Sequence, residues 1–300
     1  MAGDDLHARL DGEPGTISVW AGPLGAPPTW TRHAEATHYA ASTMKLAVLA
    51  ALYRAAEAGH LDPDARVEVV NRFTSARPDA PPYSCRRAYD NDAAVWDRLD
   101  GRASLRWLAE RMIVRSSNLA TNLVIEHVGL PAVAQVWHRV DARHSITGRG
   151  IEDFAAREAQ ITNLVTAADL AALLGAVATG ATRPGPIASP AGCAAMLDVL
   201  CAQQIRQDIA EGLPAGVRLA HKNGWVRGVR HGAAVVYPDD ADAYLLVVCT
   251  TVDDEQTDAR PDADARELVA DISRQVWQAR HDLTALTPTG SPATPPPSPR

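Results

Sequence analysis

YAASTMKLAVLAALYRAAEAG, residues 39–59, is the stretch from which the rest of the chain can be read. Beyond Ser42 it is rich in Ala and Leu and apolar almost all round. That pattern predicts a helix buried in the middle of the molecule and stopped at Gly59. Ser42 and Lys45 stand three apart at the start of this helix, so both side chains fall on one face of its first turn. A serine hydroxyl is a weak nucleophile without a neighbouring base, and a lysine can serve as that base when burial lowers its pKa. The helix start adds backbone N–H groups able to hold an oxyanion.

Working outward, TISVWAG (16–22) and PTWTRHAEA (28–36) read as two strands joined across a Gly/Pro turn. Helices are predicted over 104–113, 118–128, 131–139, 166–179 and 190–203, most with apolar residues at three- and four-residue spacing. From about residue 217 the period changes. VRLAHKNGW (217–225), VRHGAAVVYP (229–238) and DAYLLVVCTTV (242–252) predict three antiparallel strands. A last helix over 262–283 puts Leu268, Ile272 and Val276 on one face. The tail TALTPTGSPATPPPSPR (284–300) has nothing to bury and is expected to be disordered. This order predicts one catalytic domain over 1–283: a sheet lobe from 1–41 and 216–283, and a helical lobe from 42–215.

Composition narrows the function. A net charge of -7 without a Lys/Arg cluster disfavours a nucleic-acid partner. No stretch approaches the roughly 20 apolar residues of a membrane span. The opening MAGDDLHARLDGEPG lacks the basic and apolar regions of a signal peptide, so the chain as written is expected in the cytoplasm, or exported if a leader has been trimmed. Cys85, Cys193, Cys201 and Cys249 lack zinc-site spacing and the ten histidines form no HExxH-like cluster, so no metal or cofactor is expected. The partner expected is a small-molecule substrate, acted on by a monomer. Among 29 basic residues only Lys45 and Lys222 are lysines. Arginine cannot act as a base in a protein, whereas a buried lysine can.

Lys222 lies in HKNGW on a predicted strand, and Gly224 beside it would let a substrate backbone approach closely. RSSNLATN (115–122) puts Ser116 and Asn118 just before a predicted helix, where a serine also serves as a cap. Taken in order, S42-T-M-K45, S116-S-N118 and K222-N-G224 match the three-motif signature of class A β-lactamases and penicillin-binding proteins. The likeness runs over roughly 16–283 and includes Asn122 and NLVTAADLAALL (163–174). The chain resembles the class A β-lactamase-like serine hydrolases.

That resemblance implies a two-lobed α/β fold, with an antiparallel sheet of about five strands flanked by terminal helices, beside an all-helical lobe. It implies an enzyme that opens β-lactams or related amides and esters through an acyl-enzyme. Ser42 would be the nucleophile, Lys45 its proton acceptor and Ser116 the relay to the leaving nitrogen. Asn118 would bind the acyl amide, Lys222 the substrate carboxylate, and the N–H groups of Ser42 and Trp225 the oxyanion. Two positions depart from the family pattern: Ser117 replaces an aspartate and Asn223 a hydroxyl residue that helps bind the carboxylate. The loop TGRGIEDFAAREAQITNLVT (147–166) has no Glu-Pro-x-Leu-Asn pattern; Glu152, Asp153 and Glu158 are its candidates for the water-activating base, and the family's spacing lands on Glu152 counted forward from Ser116 but near Gly150 counted back from Asn163, so the loop is shortened. His231 is the candidate for the carboxylate pocket, in competition with Arg230 and Arg227. A peptidase, esterase or acyltransferase on another acyl substrate, or a penicillin-binding sensor without turnover, would use the same residues.

Overall fold

The structure, a computed structural model, describes residues 2–252 and 262–287. The chain opens with helix α1 (Ala2–Gly12), followed by strands β1 (Thr16–Pro23) and β2 (Trp30–Arg32). The two-residue strand His38–Tyr39 leads through a 3-10 turn, Ala41–Met44, into α2 (Lys45–Glu57). The helical lobe is completed by α3 (Leu105–Val114), α4 (Asn118–Val128), α5 (Leu130–Arg139), α6 (Ala167–Gly180) and α7 (Pro190–Cys201). Strands β3 (Arg218–Val226), β4 (Val229–Tyr237) and β5 (Tyr244–Thr251) follow, then α8 (Asp262–Gln278). The sheet is five-stranded in the order β2-β1-β5-β4-β3, so both ends of the chain build it, as the sequence predicts.

Alternation along the strands explains why the sheet lies between two cores. On β4, Ala233 and Val235 face the helical lobe while Ala234 and Val236 face α8, the period-2 pattern of a strand buried on both sides. The first core is organised around α2, whose residues Lys45 to Leu52 are all buried. The second gathers Leu268, Val269, Ile272 and Val276 of α8 with Leu6 and Leu10 of α1. Among the described residues no single helix is long and apolar enough to cross a membrane.

Several boundaries differ from the sequence reading: the helix expected over 190–203 ends at Cys201 and the one over 262–283 at Gln278, and three further differences bear on the site or the termini. The strand expected over 28–36 ends at Arg32, because His33 takes a left-handed φ of 43° that breaks the pleat. Ser42 belongs to the 3-10 turn and α2 begins only at Lys45. The expected disorder is corrected at its start: Leu283–Leu286 form a 3-10 turn with Leu286 buried, and Thr287 Oγ1 donates to Thr29 O at 2.8 Å. The remainder of that tail lies outside the described residues.

Candidate active site

The turn that carries Ser42 is built under strain. Ala41 adopts φ 45°, a left-handed conformation that costs a non-glycine residue about 1 kcal/mol or more. Ala40 N–H donates to Asn163 O at 2.9 Å and Thr43 Oγ1 to Ala40 O at 2.6 Å, which pins the turn from both sides. In a 3-10 turn residues i and i+3 eclipse, so Ser42 and Lys45 still stack on one face.

Lys45 is completely buried. Its Nζ donates to Ser116 O at 2.7 Å, Asn118 Oδ1 at 3.0 Å and Ser116 Oγ at 3.2 Å. Burial pulls its pKa down to about 7, with Asp90 and Cys85 opposing. Lys222, equally buried, reaches the same hydroxyl: its Nζ donates to Ser116 Oγ at 3.0 Å and to Asn223 O at 2.7 Å. Burial, and then the charge of Lys45, push its pKa well down, with Asp208 opposing. Ser116 stands between the two amines at φ 57°, a strained backbone at the junction of α3 and α4.

Asp90 is the partner that sequence reading missed. Its Oδ2 accepts from Ser117 Oγ (3.1 Å), Asn118 N (3.0 Å) and Leu119 N (2.8 Å), so it caps α4. A carboxylate from a distant loop thus reaches Ser117, where the family carries its own aspartate. Asn118 is engaged on both ends of its amide, accepting from Lys45 and donating Nδ2 to Tyr89 O at 2.8 Å.

Strand β3 brings Lys222, Asn223, Gly224 and Trp225 alongside the Ser42 turn. At Gly224 a Cβ would lie 2.7 Å from Ser42 N and 2.9 Å from Thr43 N, so the fold itself needs the glycine. What approaches the glycine is the chain's own turn. The structure places His231 elsewhere than the carboxylate pocket. It is fully buried, its Nε2 is 2.9 Å from Tyr39 O, and its Nδ1 accepts from Thr250 N at 3.2 Å, so it braces the sheet against the turn. Burial lowers its pKa to about 4. Arg230 is the cation on the Asn223 and Trp225 side: its guanidinium lies 5.2 Å from the Trp225 ring, and its Nε donates to Asp208 Oδ1 at 2.6 Å.

The three loop carboxylates are all occupied elsewhere or solvated. Glu152 pairs with Arg86 Nε at 2.9 Å and accepts from Arg86 N. Asp153 is buried as the cap of the short helix Phe154–Glu158 and accepts from Ser75 Oγ and Ala76 N, both at 2.8 Å. Glu158 is exposed at that helix's end. Asn122 clamps the neighbouring residue instead: its Oδ1 accepts from Ile151 N at 2.7 Å, and its Nδ2 donates to Ile151 O at 2.9 Å and lies 3.1 Å from Cys85 Sγ.

A family model described as the beta-lactamase enzyme family matches residues 2–280. The chain belongs to that family. No curated protein sequence matches it. Among solved structures it is similar to the beta-lactamase from Sphaerobacter thermophilus DSM 20745, with 24% identity and a TM-score of 0.74 over 95% of this chain and 97% of that one. The class A beta-lactamase from Mycobacterium abscessus gives 18% identity and a TM-score of 0.74 over 93% and 99% of the two chains. A mutant of PBP-A, solved as an acyl-enzyme complex with penicillin G, gives 22% and 0.72 over 93% and 95%. At these identities the likeness carries the beta-lactamase fold, and the chemistry rests on the side chains described above.

Proposed function

We propose that this chain is a serine hydrolase that takes its acyl group from β-lactams or related amides and esters. Ser42 Oγ attacks the carbonyl carbon as its proton passes to neutral Lys45. The C–N bond of the ring then breaks, and Ser116 hands a proton to the leaving nitrogen and is reprotonated from Lys45. The observation that carries this reading is that the chain's two lysines, both buried, converge on one serine hydroxyl next to the Ser42 turn. A hydroxyl oxygen accepts two hydrogen bonds, so with both amines donating, the Ser116 proton is left to point at the leaving group. The N–H groups of Ser42 and Trp225 are the oxyanion donors of this reading, where losing one costs about 100-fold to 1000-fold.

Hydrolysis of the ester is the slow step. It needs a carboxylate able to activate water, and the loop presents Ile151 in the Asn122 clamp while Glu152 is paired to Arg86. This favours an acyl-enzyme that outlasts that of an efficient β-lactamase, the state in which the similar PBP-A mutant was captured. The test is intact mass and peptide mapping after brief and long exposure to benzylpenicillin. One adduct, on Ser42 and decaying slowly, is expected. A label on another serine, or none with penicillins and active-serine phosphonates alike, would overturn the reading.

A further inference from the structure

Behind Lys222, the donors on the Asn223 side of β3 are committed to a carboxylate that the chain itself supplies. Arg230 Nε donates to Asp208 Oδ1 at 2.6 Å, and Asn223 Nδ2 donates to Asp208 Oδ2 at 3.0 Å. Arg230 Nη2 donates further to Gln207 Oε1 at 2.8 Å. Asp208 and Arg230 are only 1% and 2% exposed, and the guanidinium carbon lies over the Trp225 ring, 5.2 Å from its centroid. Asn223 is left with a buried Oδ1 that has no hydrogen-bond partner among the described residues, an acceptor where an anion would need a donor. Asp208 is held in this position at a left-handed φ of 63°. The arrangement is that of an anion site already filled from within.

A second carboxylate brought to this wall would face Asp208, and breaking the buried Arg230 pair to admit it would strand a charge. We propose that Asp208 sets the site to select acyl substrates with no free carboxylate on the leaving-group side, that is, neutral amides and esters. This rests on Ser42 being the acylated nucleophile, with Ser116 and Lys222 on its leaving-group side. Asp208 acts through Arg230 and Asn223 and is a positioning residue for specificity.

Benzylpenicillin and its methyl ester share ring and acyl group and differ in that one charge. Their second-order rates of Ser42 acylation, followed by intact mass on the full chain, decide the matter. The ester is expected to react at least as fast as the acid. In Asp208→Asn the acid-to-ester rate ratio is expected to rise roughly tenfold, the scale of one freed charge-assisted hydrogen bond. An acid preference of roughly tenfold in the wild type, as an open Arg230 would give, overturns the proposal and does so even if the variant fails to fold. A folded Asp208→Asn with an unchanged ratio overturns it too. If neither compound labels Ser42, the acyl-enzyme reading itself falls and takes this proposal with it, whereas the other failures leave adducts on Ser42.

Discussion

Lys45 Nζ has three acceptors, as many as an ammonium has protons. On losing one proton it can keep Ser116 O and Asn118 Oδ1, the two shorter bonds, and turn its lone pair to a hydroxyl. Because burial brings its pKa to about 7, the protonated form dominates below that pH and the base is absent. Acylation of Ser42 should therefore rise about tenfold per pH unit on the acid side and level off above about 7, in a stopped-flow profile with a chromogenic cephalosporin. Lys45→Arg should remove acylation across the whole range, since a guanidinium keeps its proton; a near wild-type rate would make Lys45 a structural charge. That Lys45, Ser116 and Lys222 come together was legible because the order of their motifs along the chain is itself a signal. Asp90 was not, because its partners lie 27 to 29 positions away, across α3, and AYDND has no spacing that announces a cap. His231 misled for a related reason: strand alternation decides which face a residue takes, and a pairing register cannot be counted from one strand.

Among the elements, the loop over 147–166 and strand β3 carry the sharpest expectations. If the Asn122 clamp presents position 151 to the acyl-enzyme, Ile151→Glu should speed deacylation by about tenfold or more, the low end of what a positioned general base supplies. Glu152→Gln should leave the slow steady rate in place, because that carboxylate is spent on Arg86. The opposite pattern in burst kinetics would return the base to Glu152. On β3, Gly224→Ala would drive a methyl group to within 2.7 Å of Ser42 N and should cut acylation by about 100-fold, the scale of one lost oxyanion donor. Of the elements themselves, the Ala/Leu helix and the β-branched strands were legible from period alone. Helix α1 was not: its pattern offers only Leu6 and Leu10 as apolar anchors amid acidic residues, and its stability comes from packing against the sheet.

For the molecule as a whole, the sheet separates two cores that answer to different measurements. Leu10 is 1% exposed on the face away from the Ser42 turn. Leu10→Ala should cost about 2–5 kcal/mol in denaturant unfolding while leaving the acylation rate of the folded protein unchanged; a parallel loss of rate would show that the two faces are coupled. The burial of both lysines bears on handling as well as on catalysis. Electrophilic drugs of the β-lactam kind decorate proteins nonspecifically through surface side-chain amines, and this chain exposes none. Without an exposed lysine amine that background is reduced, so the mass of the whole protein reads out pocket occupancy more directly, and a modest excess of drug should add one acyl group and not a ladder of them.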